Sequence, residues 1–187
     1  MNTFACNDQG LEEAAKVILS GGVAIIPTDT VYGLAAHPDF PKAVQRLYTI
    51  KGRLESKPIA LLASDIASIE NFGFSLGEKA QMLAKKHWPG ALTIVLANES
   101  TTEGFRIPDY EWTRKLIKKC GGVLRVTSAN LSGGEDAVEA IQAINSIGLS
   151  ADVIIDGGES RIGTPSTVVL ITSSDGLKIL RAGAVNI

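Results

Sequence analysis

Cysteine is scarce in this chain and so is histidine, with two of each among 187 residues. Cys6 and Cys120 are too few for a disulfide framework or a thiolate metal cage, so a reducing cytosol is the expected compartment. His37 and His87 stand far apart without a Cys or Glu at ligand spacing, and each reads as a surface or helix-end residue. Excess charge is missing too. A formal net charge of -2 supplies no field that would hold nucleic acid by bulk electrostatics, so DNA is not an expected partner and any RNA contact must be local. No stretch approaches the roughly 20 apolar residues of a membrane span. The start MNTFACNDQG has neither the basic residues nor the apolar run of a targeting segment. The phosphate-binding signatures GxxxxGK and GxGxxG are absent.

What the chain does have is ordinary core material: 45% hydrophobic and 20% charged residues, the balance of a soluble globular protein. Its length suits one sizeable core better than two, so residues 1–187 are expected to form a single domain. Leu11, Ala14, Ala15 and Ile18 share a helical face that Asn7 or Asp8 can cap and Gly21 and Gly22 can stop. Residues 23–26 read as a buried strand, ended by Pro27 because proline has no N–H to give a ladder. A second helix from Asp39 and Pro41 to near Gly52 buries Val44, Leu47 and Tyr48. Strands at 59–63, 91–97, 123–130 and 152–158 then alternate with helices over Ile66 and Ile69, over 75 to about 87, over 110–120, and from near Glu135. Residues 98–108 read as a loop with Arg106 protruding. Residues 167–173 and 177–183 form two closing strands joined around Ser174 to Gly176. The class is α/β, an open, twisted, mixed parallel and antiparallel sheet with helices on its faces.

The densest chemistry lies between Pro27 and Pro58. Thr28, Asp29 and Thr30 sit where strand 23–26 ends, the edge at which open α/β sheets place ligands. Lys51, Arg53 and Lys57 follow the second helix, with Arg46 just before and only Glu55 in opposition. Basic residues in a last helical turn can simply answer the helix dipole; four cations in a dozen residues also suit an anion such as a polyphosphate. TSANLSGG has two readings as well. Ser128 and Asn130 can close a strand through ST and Asx turns, or its hydroxyls, amide and glycines before a helix can bind phosphate oxygens. Arg106 is either solvated or committed to a carboxylate or phosphate. Arg181 is an edge-strand charge or a ligand contact, and Ser166 and Thr167 follow Pro165 in a turn. No nucleophile is read from the pattern, so the chemistry is positioning and charge neutralisation.

Taken together and in this order, GGVAIIPTDTVYGL, KGR, KP, WPGALT, FRIP, TSANLSG, GTPSTVV and ILRAGA resemble the YrdC/TsaC family of threonylcarbamoyl-AMP synthases over nearly the whole chain. The resemblance implies a YrdC-like fold with a large basic cavity. It also implies a cytoplasmic reaction in which L-threonine, bicarbonate and ATP, with Mg²⁺, give threonylcarbamoyl-adenylate and pyrophosphate for threonylcarbamoyladenosine in tRNA. Other proteins of that tRNA-modification pathway, and tRNA itself, are the partners it suggests. By the same resemblance Lys51, Arg53, Ser128, Asn130 and Arg181 bind ATP, with Lys51 and Arg53 catalytic at the departing pyrophosphate. Thr28, Arg106, Ser128 and Ser166 hold threonine, with Arg106 on its carboxylate. The chain departs from the family at Leu62, where many members carry histidine, and at Arg125, a charge in the strand before TSAN that either faces the cavity or pairs with an acid. The chain stops after ILRAGAVNI, which matches the single-domain form. Two other readings compete: an RNA-binding or ribosome-maturation module without chemistry, and the carbamoyl-transfer domain of hydrogenase maturation, which sits in a larger protein with zinc-finger parts.

Overall fold

The computed structural model describes residues 2–172 and 176–187. Ten strands form one mixed sheet: β1 (Thr3–Ala5), β2 (Ala24–Ile26), β3 (Gly33–Ala36), β4 (Leu61–Ala63), β5 (Leu92–Ala97), β6 (Thr102–Arg106), β7 (Val123–Ser128), β8 (Val153–Asp156), β9 (Thr167–Ile171) and β10 (Leu177–Arg181). Their spatial order is β1-β8-β2-β3-β7-β4-β6-β5-β9-β10. Six helices cover it: α1 (Asp8–Leu19), α2 (Pro41–Lys51), α3 (Ile66–Asn71), α4 (Glu78–His87), α5 (Glu111–Lys119) and α6 (Ala140–Ile147).

Side chains alternate across the strands and divide the core by face. On one face Ala24, Ile26, Ala35, Leu62, Leu124 and Val126 pack with Ala14, Ala15 and Ile18 of α1 and Leu116 and Ile117 of α5. On the other, Ile25, Leu34 and Ile154 meet Ala43 and Leu47 of α2 and Ala140, Ala143 and Ile147 of α6. Farther along the sheet, Leu61, Leu92, Ile94 and Phe105 close against Ile69 of α3 and Ala80 and Ala84 of α4. Beyond the reach of α1 and α5, the first face opens into a hollow.

The local signals explain the element ends. The Asn7 side chain accepts from the Gly10 amide at 3.0 Å to start α1, and Asp65 accepts from the Ser68 amide at 2.8 Å to start α3. Pro41 opens α2, and Gly52 ends it at φ 58°, a left-handed conformation that glycine takes without steric penalty. Three expectations change. Residues 98–108 are not all loop, because Thr102–Arg106 pairs with β5 in antiparallel register and with β4 in parallel register. The helix expected near Glu135 starts at Ala140, where Glu139 and Gln142 form a capping box. Two strands were unmarked in sequence, β1 and the small-residue strand β3, GLAA. The closing strands pair antiparallel, and of their junction Ser174 and Asp175 lie outside the described residues.

Candidate active site

The hollow takes shape because β2 and β3 are joined by the segment 27–32, which brings hydroxyls to the rim. The buried Thr28 hydroxyl donates to the Val31 carbonyl at 2.7 Å and lies 3.0 Å from the Thr30 hydroxyl. Gly33 follows on the floor: a Cβ there would lie 2.6 Å from Val126 Cγ1, so any larger residue would force that valine side chain to shift. Across the floor, Arg106 ends β6. Far from protruding, it is 6% exposed and donates through Nε to the Gly90 carbonyl at 3.0 Å and through Nη1 to the Thr30 hydroxyl at 2.8 Å. Its Nη2 forms an ion pair with the fully buried Asp29. Burial lowers the pKa of Arg106, and the Asp29 carboxylate opposes that.

Ser166 reaches the same space because β9 lies beside β5. Its hydroxyl is 2.8 Å from that of Thr93. Arg181 then folds back from β10, donating to the Ser166 carbonyl at 2.6 Å and hydroxyl at 3.0 Å. The enclosed volume is about 500 Å³. Its wall is not broadly basic: Arg53, Arg106 and Arg181 stand among threonine, serine and apolar side chains including Ile59, Leu62, Val95, Val126, Val168 and Leu170.

A second recess of about 350 Å³ shares Arg53, Ser128, Pro165 and Arg181 with the hollow. Here the KxR and SxN elements meet. Lys51 is 3% exposed, and its ammonium donates to the Ser128 carbonyl at 2.7 Å, the Asn130 carbonyl at 2.7 Å and Asn130 Oδ1 at 2.9 Å. All are neutral oxygens. The Ser128 hydroxyl donates to Asn130 Oδ1 at 2.7 Å, and the Asn130 amide donates to the Gly134 carbonyl at 2.8 Å. Arg53 is held at its base by the Lys57 carbonyl at 2.9 Å. Burial and then Arg53 pull the Lys51 pKa down to about 8, against a smaller upward pull from Asp136, the carboxylate at the recess.

Thr28, Arg53, Arg106, Ser128, Ser166 and Arg181 therefore line one hollow, and Lys51 and Asn130 line the recess that opens beside it. Arg46 does not join them. It pairs with Asp152 at 2.8 Å on the other side of α2. Arg125 pairs with an acid, making two bonds to Glu103 at 2.6 and 2.5 Å. Leu62 is 4% exposed on the hollow's wall. Neither His37 nor His87 lines either space. A GxSxG string does occur at 73–77, but Ser75 is exposed on the link between α3 and α4, without the strand-to-helix turn that makes such a serine a nucleophile. Asp29 and Thr30 were placed at the ligand edge of the sheet but given no role, and Thr93 was not singled out. The sign available for Asp29 was a carboxylate between two threonines at a strand exit.

The Sua5/YciO/YrdC family model, described as telomere recombination, matches residues 16–183. Threonylcarbamoyl-AMP synthase of Bacillus subtilis is 33% identical over 97% of the chain, which spans 56% of that protein. A putative threonylcarbamoyl-AMP synthase of Mycobacterium tuberculosis is 32% identical, with 98% of this chain and 91% of that one aligned. The crystal structure of Pyrococcus abyssi Sua5 complexed with L-threonine superposes with a TM-score of 0.89 at 32% identity, covering 97% of this chain and 57% of that one. The chain thus spans little more than half of the Bacillus and Pyrococcus proteins and nearly all of the mycobacterial one. By these matches and by its sheet, the chain belongs to the Sua5/YciO/YrdC family.

Proposed function

We propose that the chain is a threonylcarbamoyl-AMP synthase, joining L-threonine, bicarbonate and ATP into threonylcarbamoyl-adenylate with release of pyrophosphate. The observation that carries this reading is a hollow with two chemically different ends, a hydroxyl-rich end around Arg106 and a cationic recess around Lys51 and Arg53. The first suits an amino acid: Arg106 for its carboxylate, with Thr28, Ser166 and Ser128 for its remaining polar groups. The second suits a triphosphate, because the Lys51 ammonium is bonded only to neutral oxygens and no bonded carboxylate cancels its charge. The threonine-bound state of Pyrococcus Sua5 supports the amino-acid assignment.

In the reaction an oxygen of the threonine carbamate attacks the α-phosphorus, and the bond to the β-phosphate oxygen breaks. The carbamate is already an anion, so no side chain need remove a proton in that step. Two anions must nevertheless approach each other. Arg53, Lys51 and Arg181 lower that repulsion and stabilise the charge that builds on pyrophosphate. Holding both partners in line contributes several kcal/mol more, on the order of what effective molarities imply. Among the described residues no three His, Cys, Asp or Glu gather to hold a metal. A Mg²⁺ arriving on the triphosphate would find the Ser128 hydroxyl and Asp136 as protein oxygens at the recess. When bound, it would offset phosphate charge. The product would serve threonylcarbamoyladenosine synthesis in tRNA, in the cytoplasm. Among the described residues no helix is long and apolar enough to cross a membrane.

Incubating the purified protein with ATP, bicarbonate and each amino acid in turn, followed by mass detection of the adenylate, tests the proposal. The threonyl product is expected above the others; adenylate from no amino acid contradicts it.

A further inference from the structure

The Asp29 carboxylate lies beneath the hollow's hydroxyl-rich end, paired with Arg106. It is fully buried, yet among the described residues its only side-chain partner is Arg106, through Oδ1, and Oδ2 has no hydrogen-bond partner at all. Leaving a carboxylate oxygen buried and unpaired costs on the order of 1–3 kcal/mol, and a packed core would be expected to replace such a group unless it did something else. Asp29 does not line the hollow, but its partner does.

What Asp29 fixes is the aim of Arg106. A guanidinium carries five N–H donors. Arg106 commits Nε to Gly90, one hydrogen of Nη1 to Thr30 and one of Nη2 to Asp29. One hydrogen on each of Nη1 and Nη2 remains, and Arg106 lines the hollow in which a carboxylate would meet them. Gly90 and Thr30 hold Nε and Nη1, and Asp29 is the partner of Nη2. Without Asp29, Nη2 loses its partner and the guanidinium is held at two of its three nitrogens. Asp29 also cancels the charge of Arg106, so an amino-acid carboxylate meets aligned donors rather than an unpaired cation.

We propose that Asp29 is a positioning residue of the amino-acid site, acting on threonine through Arg106 alone. This rests on the threonine reading above. Asp29 is also tied to the strap that carries Ser166. The Asp29 and Thr30 carbonyls accept from the Ile162 and Gly163 amides, each at 2.9 Å, so one short segment orients both the arginine and the serine side of the site.

The test is a double-mutant cycle on the full chain, with L-threonine affinity read by titration calorimetry and KM for ATP read separately. Asp29→Ala is expected to weaken threonine binding about tenfold or more, with KM for ATP within about twofold of wild type. In an Arg106→Ala background the same change should cost nothing further. Asp29→Asn keeps an acceptor for Nη2 and should restore part of the loss, remaining at least about threefold weaker than wild type. That variant carries the test should Asp29→Ala fail to fold. Threonine affinity unchanged in a folded Asp29→Asn protein, or independent multiplying losses in the double variant, overturns the positioning role and leaves the threonine reading standing. A wild-type protein that binds no threonine overturns that reading first, and the positioning role with it.

Discussion

Lys51 shows how much one residue can carry. Its three ammonium hydrogens point at oxygens of Ser128 and Asn130, so it ties the KxR turn to the SxN turn while its charge stays uncompensated by any bonded carboxylate. The sign of its pH dependence follows. The pKa is lowered to about 8 from 10.5, so folding with the amine charged is penalised below pH 8 and that penalty is relieved as pH rises from 8 toward 10.5. A triphosphate beside Lys51 raises its pKa again. ATP affinity should therefore be steady below pH 8 and fall by up to about tenfold per pH unit above it, until the pKa of the bound form is passed. Titration of ATP binding from pH 7 to 10, with Lys51→Met as the control that loses the dependence, measures this. The sequence showed the two halves of this contact as separate motifs, but not that they touch. It misplaced Arg46 for a geometric reason: five residues along a helix is a turn of about 140°, so Arg46 and Lys51 leave opposite sides of α2.

The elements show why some side chains were misassigned. TEGFR was read as loop because Gly104 and two charged residues interrupt any alternation. Its pairing with β5 and β4 is nevertheless what buries Arg106 and converts a solvated guanidinium into part of a site. GLAA escaped notice because it lacks β-branched residues, yet small residues are what the packing under Val126 requires. The last turn of chain is equally tight. A Cβ on Gly183 would lie 2.4 Å from the Pro165 carbonyl oxygen and 2.5 Å from the Ser166 carbonyl carbon, and backbone atoms cannot yield as a flexible side chain can. Gly183→Ala should therefore push the 165–166 strap away and weaken threonine binding several-fold. Gly52→Ala, where nothing lies within 4 Å, should cost only the left-handed backbone, about 1 kcal/mol of stability. Thermal melts and threonine titration of the two variants separate these effects. Equal threonine affinity in both would mean that Ser166 does not depend on the strap.

At the scale of the whole molecule the site is a consequence of strand order. Thr28, Lys51, Arg106, Ser128, Ser166 and Arg181 are spread over most of the chain, and they converge because β7 lies between β3 and β4 and because β9 lies beside β5. The α/β class and most helices could be read from periodicity, capping residues and glycine stops. The order could not, since apolar strands such as AII, LLA and VIID carry nothing that names a neighbour. Motif order along the chain therefore led to the family more directly than periodicity led to the sheet. The charge of the hollow was also beyond the sequence, because the buried Asp29 neutralises Arg106 and leaves Arg53 and Arg181, which the hollow shares with the recess. In the proposed function nucleotide and amino-acid carbamate meet across these two spaces, and pyrophosphate release measures that meeting. Release from ATP should require threonine and bicarbonate together, and should fall about tenfold or more in Lys51→Ala and Arg53→Ala, the loss of one transition-state contact of roughly 1.4 kcal/mol or greater. Release that continues without threonine or bicarbonate, or that both variants leave unchanged, would contradict it.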